Sequence, residues 1–267
     1  MDFDLGDQVV CVTGGASGIG LACSRALARE KAQIAIIDRR QERIDAVLDE
    51  LAGLGAQAVG FAVDVRQRDQ LDEAVQYFET KLGPVTNLIC CAGTSRVGWA
   101  EDIPEKDFDL VLDVNTKGVF LSCQAFAKRM IEQRRGSIIL MGSIDGLSAH
   151  TARSHYVASK FAVIGLTKNL ALEWGRFGIR VNCIAPSFAD TPLVRQMTPP
   201  AYLENAVCRR TPMGRMVRPE EIASATLMLL SDAAAFVTGV VLPVDGGLSV
   251  GYVTEGYGAD AGWNPLS

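Results

Sequence analysis

What most constrains this chain is an alternation of two hydrophobic periods. Short, nearly continuous apolar runs occur at 8–13 (QVVCVT), 33–38 (QIAIID), 57–65 (QAVGFAVDV), 86–93 (TNLICCAG), 136–142 (GSIILMG), 179–185 (IRVNCIA) and 240–247 (VVLPVDGG). They are rich in β-branched residues and bounded by Gly, Pro or Asp, the pattern of parallel strands buried on both faces. Between them lie stretches of helical period at 18–31, 41–53, 67–82, 105–132, 154–175 and 219–231. Strand, helix, strand at this spacing predicts βαβ units with right-handed crossovers. The expected fold class is therefore α/β, a doubly wound, Rossmann-type parallel β-sheet with helices on both faces. A single domain over 1–267 is expected, since α/β folds often exceed about 200 residues as one unit.

Two stretches break the rhythm. Segment 187–218 carries Pro192, Pro199, Pro200 and Pro212. A long insertion in a compact domain is usually functional, so it reads as a substrate lid. The tail at 248–267 is rich in Gly and aromatics. It reads as a frayed end or as a flap over the site or a neighbouring subunit.

Composition excludes several functions. The net charge is −5, which argues against nucleic acid and anionic membrane surfaces, because both demand clustered Lys and Arg. No apolar run approaches the roughly 20 residues that cross a bilayer. The opening MDFDLGDQVV is acidic and runs into a strand, so no signal peptide is expected. The seven cysteines are scattered and lack a CxxC spacing. Neither a disulfide framework nor a metal site is expected, and the expected compartment is the cytoplasm.

The first apolar run ends in Thr13-Gly14-Gly15-Ala16-Ser17-Gly18-Ile19-Gly20, where a helix opens. Glycines there let backbone approach a ligand, and a helix N-terminus offers free N–H groups to a pyrophosphate. Alone such a turn is weak evidence. Here the second strand ends in Asp38, 18 residues after Gly20, close to the offset of about 20 expected for an acid that binds ribose hydroxyls. A carboxylate there accepts from the 2′- and 3′-hydroxyls and repels a 2′-phosphate, which favours NAD over NADP. Arg39 and Arg40 follow directly, and a guanidinium suits a 2′-phosphate.

Tyr156 and Lys160 are four apart in a helical pattern and share a face. A phenol ordinarily titrates near 10, and a neighbouring ammonium favours its ionised form. Such a pair serves as a general base for an alcohol or an acid for a carbonyl. In isolation such a spacing is far more often an exposed helical pair. The fifth run delivers Ser143 to its carboxyl end, 13 residues before Tyr156, and carboxyl ends are where such sheets bind ligands. Ser143 also suits a turn cap. Asn115 lies inside a helical pattern although Asn forms helices poorly, so a kink or a water-holding role is expected.

These residues together resemble the short-chain dehydrogenase/reductase family over about residues 6–247. The motifs are TGGASGIG at 13–20, Asp38, Asp64-Val65, CAG at 91–93, NTKG at 115–118, Ser143, YVASK at 156–160, and Asn182 with Pro186. The resemblance implies a catalytic tetrad of Asn115, Ser143, Tyr156 and Lys160. Ser143 would orient the substrate oxygen and Tyr156 exchange its proton. Lys160 would bind the nicotinamide ribose, and Asn115 would hold a relay water. Asp64 and Val65 would contact the adenine. Gly14, Ser17, Gly18, Ile19, Gly20, Ala92, Gly93 and Pro186 would lie along the cofactor, with Thr191 at the nicotinamide amide. It also implies a homotetramer packed through the helices containing Asn115 and Tyr156. Two positions depart from the family: Asn-Asn-Ala-Gly reads Cys90-Cys91-Ala92-Gly93, and Pro-Gly reads Pro186-Ser187. Neither removes a catalytic group, and the cysteine reads as a structural substitute.

Between Ser143 and Tyr156, Asp145 and His150 are candidates to face the substrate, with Phe188 from the lid. Arg153 is expected to face solvent, and His155 to point away from the site. A polar wall suits a polyol or sugar. An apolar one from Phe188, Met197, Tyr202, Met213 and Trp99 suits a cyclic alcohol or acyl chain. The leading expectation is an NAD-dependent oxidoreductase acting on a small-molecule secondary alcohol or its ketone. The alternatives are a 3-oxoacyl thioester reductase and a non-catalytic NAD(H)-binding sensor.

Overall fold

A computed structural model describes residues 3–6 and 8–251; most of the 248–267 tail lies outside them. Seven parallel strands form one sheet in the order β3-β2-β1-β4-β5-β6-β7. They are β1 (Val9–Thr13), β2 (Gln33–Asp38), β3 (Ala58–Ala62), β4 (Asn87–Cys90), β5 (Gly136–Met141), β6 (Ile179–Pro186) and β7 (Val241–Val244). The doubly wound fold read from the alternation is present. The strands are shorter than the apolar runs at several ends. Val63 and Val65, for instance, stay buried after the β3 ladder has stopped. Hydrophobicity marks burial, not the last ladder bond.

Alternation along each strand sends neighbouring side chains to opposite layers. Cys11, Leu88, Ile138 and Val181 face one core with Leu71 and Phe78 of α3 (Arg68–Leu82) and Phe126 of α5 (Gly118–Gln133). Val12, Ile36, Ile89 and Ile139 face the other. There they meet Leu27 of α1 (Gly18–Arg29), Ile44 of α2 (Gln41–Gly53) and Leu227 of α9 (Pro219–Leu230). Each such side chain contributes about 1.5–3 kcal/mol by leaving water. The adjacent Cys90 and Cys91 follow the same rule. Cys90 meets Cys123 of α5, with sulfurs 4.0 Å apart, while Cys91 packs into the opposite layer. Cysteine thus fills both positions as a small hydrophobe, and the thiol contacts, Cys90 with Cys123 and Cys91 with Cys23, together with burial push both thiols up.

The helix read as one piece over 105–132 is three. α4 (Glu105–Leu112) runs into a π-helical turn at Asp113–Lys117 and then into α5. α6 (Ser154–Trp174) follows β5. The strand order reverses between β1 and β4, so a crevice opens at their carboxyl ends, where ligands bind in such sheets. Segment 187–218 forms α7 (Pro192–Met197) and α8 (Pro200–Tyr202), then a π-helical turn at Leu203–Cys208. It has its own small core of Leu203, Val207 and Met216. No helix among the described residues is long and apolar enough to cross a membrane.

Candidate active site

The loop between β1 and α1 is shaped for close backbone approach. Gly14 has φ +67°, and a Cβ there would lie 2.8 Å from the Ala92 nitrogen at the end of β4. A Cβ on Gly20 would strike the Gly14 carbonyl. Gly18, the first residue of α1, has φ +53° and faces open space. Ser17 is extended at the N-cap and its side chain makes no cap bond, so the first-turn N–H groups are left to an anion. The cradle therefore fits a pyrophosphate. Ile19 is half-buried against the neighbouring core.

Asp38 closes β2 and is buried. Its Oδ1 accepts only the Arg40 N–H, at 3.3 Å. Among the described residues it has no ion pair. Arg39 is exposed, and Arg40 lies 3.9 Å from Glu42. Asp64 differs: Arg66 holds it through Nε and Nη2 at 2.9 and 2.6 Å, and this guanidinium keeps its carboxyl below the usual range. Val65 is buried against Gly118, where a Cβ would approach within 2.7 Å. The Ala92 N–H donates to Thr13 Oγ1 at 3.3 Å, and Gly93 lies beside the Asn115 side chain. Pro186 ends β6 opposite Val244. Thr191 caps α7, its Oγ1 accepting from the Val194 N–H at 3.3 Å.

The four residues of the expected tetrad come from the end of β5, from α6 and from the π-helical turn before α5. Ser143 follows that strand and its Oγ accepts the Asp145 N–H at 3.1 Å, leaving its own proton free to donate. Lys160, on α6, is buried, and its Nζ donates to the Met141 carbonyl at 2.8 Å. The same Nζ lies 5.5 Å from the Tyr156 ring centroid. Asn115 sits in the π-helical turn, which supplies the reason its place in the helix requires. Its Oδ1 accepts the Thr94 N–H at 2.8 Å, and its Nδ2 donates to the Thr94 carbonyl at 2.9 Å and to Ser159 Oγ at 3.1 Å. Ser159 in turn donates to the Tyr156 carbonyl at 2.7 Å. This serine was not among the sequence candidates; its one signal is a polar residue on the buried side of α6.

The three substrate candidates gather beside this group. Asp145 is buried, and burial raises its carboxyl against the opposing pull of His150, Arg153 and Lys160. No described residue donates to its carboxylate oxygens. His150 Nδ1 faces the Thr151 carbonyl at 2.9 Å, so Nδ1 carries a proton, and Nε2 meets the Tyr202 hydroxyl at 2.9 Å. Its ring lies 5.9 Å from that of Phe188.

Arg153 corrects the expectation. It is half-buried, and its guanidinium lies 5.8 Å from the Tyr156 ring centroid and 6.0 Å from that of Phe188, while Nη1 donates to Ser95 Oγ at 3.0 Å. Two aromatic faces and a hydroxyl hold a weakly hydrated cation better than water does. Trp99 and Met213 do not form an apolar wall, being 60% and 64% exposed. The Met197 side chain lies outside the described residues. His155 points away as expected and is fully buried, with no hydrogen-bond partner for either ring nitrogen among the described residues.

A family model described as enoyl-(acyl carrier protein) reductase matches residues 14–249. D-threitol dehydrogenase of Mycolicibacterium smegmatis is 39% identical over 93% of this chain and 95% of its own. The chain belongs to the short-chain dehydrogenase/reductase family. Another member, the 3-oxoacyl-[acyl-carrier-protein] reductase of Thermotoga maritima, is 37% identical over 91% of this chain and 98% of its own. The solved gluconate 5-dehydrogenase of Burkholderia cenocepacia, in complex with NADP and tartrate, superposes with a TM-score of 0.89. It is 34% identical over 93% of this chain and 98% of that one.

As a short-chain dehydrogenase/reductase, the chain is an oxidoreductase using a nicotinamide cofactor. Its glycine cradle and buried Asp38 lie at the carboxyl edge of β1 and β2, in the half of the sheet such a cofactor occupies. Relatives that carry dehydrogenase and thioester reductase names share the scaffold equally. The side chains lining this chain's cleft must therefore decide between substrates.

Proposed function

We propose that this protein is an NAD-dependent oxidoreductase that interconverts a hydroxylated secondary alcohol, a polyol or sugar, and the corresponding ketone. The observation that carries this reading is Asp145. A buried carboxylate two residues past Ser143, without a protein donor, is suited to the O–H groups of a substrate. An apolar acyl chain would strand it.

When bound, the nicotinamide takes hydride from the carbinol carbon or returns it. Gly14, Ser17, Gly18, Ile19 and Gly20 would hold the pyrophosphate side, and Asp38 the adenosine ribose. Asp64, Val65, Ala92, Gly93, Pro186 and Thr191 would line the rest. The ribose reading of Asp38 favours NAD, since among the described residues no cation pairs with that carboxylate to make room for a 2′-phosphate. Ser143 holds the reacting oxygen with its free O–H. Tyr156 takes the alcohol proton at its phenol oxygen, and returns it in the reverse direction. Lys160 supplies positive charge beside that phenol. Asn115 positions α6 through Ser159.

Segment 187–218 acts as the lid in this reading. Its Tyr202 reaches His150 across the cleft and Phe188 stacks near it. A homotetramer in the cytoplasm accompanies the proposal. The exposed faces of α4, α5 and α6 carry Phe108, Phe120 and Phe161, the kind of surface subunits cover.

Tyr156→Phe tests the chemistry. Turnover should fall by about 10²–10⁴-fold while NAD binding, followed by calorimetry, is retained. Unchanged turnover would remove Tyr156 from the reaction. A wild type that binds NAD without oxidising any alcohol or reducing any thioester would favour a sensor.

A further inference from the structure

Arg153 has no ion pair among the described residues, although its guanidinium lies 5.8 Å from the Tyr156 ring centroid. It is tethered once, by Nη1 to Ser95 Oγ at 3.0 Å, and held against the rings of Tyr156 and Phe188. A guanidinium presents five N–H donors in a fixed fork. One tether leaves most of that fork free, and the two aromatic rings confine where it sits. A cation fixed in place beside the proton-exchanging residue, with unspent donors, is a preformed anion receptor.

We infer that Arg153 is a specificity-determining residue that binds a carboxylate of the substrate, so that the substrate is a polyhydroxy acid in place of a neutral polyol. The inference rests on the proposed oxidation of a hydroxylated alcohol and adds the charge of its substrate.

The surrounding charges set how large an anion the cleft accepts. The charged and titratable groups around Arg153 are Asp145, His150 and Lys160, together with His155, Arg96 and Asp107, and Arg96 donates to the carbonyl of the same Ser95 at 2.9 Å. Arg96 is paired with Asp107 at 3.8 Å, so Arg153 and Lys160 against Asp145 leave a deficit of a single negative charge. A phosphate ester, at about −1.5 to −2 near pH 7, exceeds it, whereas one carboxylate matches it. Burial raises the Asp145 carboxyl, which softens its repulsion of an incoming anion and lets it share hydroxyl protons with the same molecule. A carboxylate on the Arg153 fork also brings nearby carbinol carbons toward Tyr156, since the guanidinium already lies 5.8 Å from its ring centroid.

The test uses a matched pair, D-gluconate and its neutral counterpart D-glucitol, on the full chain with NAD⁺. Binding to the NAD⁺ complex is measured by calorimetry and turnover by absorbance. Wild type should prefer gluconate at least ten-fold in kcat/KM. Arg153→Gln should cost gluconate about ten- to hundred-fold, chiefly in KM, and leave glucitol little changed. Arg153→Lys, which keeps the charge and loses the fork, should fall between. Ser95→Ala, a milder change, should weaken gluconate a few-fold. Wild-type preference for glucitol, absence of gluconate binding, or equal losses for both substrates in Arg153→Gln would overturn the inference. Arg153-dependent gluconate binding without any turnover would support the anion site and count against the proposed oxidation alone.

Discussion

Asn115 grips Thr94 from both sides. Its Oδ1 accepts the Thr94 N–H at 2.8 Å and its Nδ2 donates to the Thr94 carbonyl at 2.9 Å. The amide thus completes the backbone of the loop after β4 as a neighbouring strand would, and its second N–H passes the constraint to α6 through Ser159. Asn115→Leu keeps the volume and strands both backbone groups. A buried polar group left unpaired costs about 1–3 kcal/mol. Chemical denaturation at fixed protein concentration should therefore show a loss of about 2 kcal/mol or more. Turnover should fall further than stability explains, because Tyr156 hangs on the same chain of bonds.

Arg180 offers a second test, far from the cleft. Its guanidinium donates to the carbonyls of Leu229, Leu230 and Ser231 at 2.6, 2.7 and 3.1 Å. It satisfies the orphan carbonyls that end α9 and places a cation at the negative end of the helix dipole. Burial lowers its pKa, so part of the gain is offset by desolvation. Arg180→Met keeps the stem and loses the bonds. The expected cost is about 2 kcal/mol, with lost hydrogen-exchange protection in the last turn of α9 and unchanged cofactor binding.

Much of this was legible beforehand, for identifiable reasons. Parallel strands buried on both faces leave continuous apolar runs, so the sheet could be read directly. Tyr156 and Lys160 share a helix face by their spacing and gain meaning from Ser143 at the end of the preceding strand, as the Gly14–Gly20 turn does from Asp38 at the end of the next. The π-helical turn at Asp113–Lys117 left no trace beyond Asn115 itself, because π and α turns draw on the same residues. Arg153 was misjudged for another reason. A loop arginine faces water by default, and only the tertiary approach of Phe188 and Ser95 gives it something better. Ser159 escaped notice because its role exists only once Asn115 is brought against it.

His155 gives the pH dependence. The ring is fully buried, both nitrogens lack partners among the described residues, and burial pushes its pKa below the ordinary value of 6.5, Asp107 opposing. In the unfolded chain the imidazole takes up a proton first. The fold therefore loses stability as pH falls through 6.5 toward the lower folded value. The slope in that window is bounded by about 1.4 kcal/mol per pH unit, the value for one proton. His155→Leu should flatten thermal stability between pH 7 and pH 5, to within about 0.5 kcal/mol of a constant difference from neutral pH. An unchanged slope in the variant would place the acid sensitivity elsewhere.

The central claim is oxidation of a hydroxylated secondary alcohol with NAD, and the most direct measurement is the absorbance of reduced nicotinamide. Purified protein is given NAD⁺ or NADP⁺ with polyols, sugars and sugar acids, and separately 3-hydroxyacyl thioesters. The account predicts turnover on hydroxylated substrates with NAD⁺ favoured at least ten-fold, and Asp38→Ser should erase most of that preference, about 1.4 kcal/mol or more. Activity confined to NADP⁺ and thioesters would contradict it, and would move the cofactor choice from Asp38 to Arg39 and Arg40.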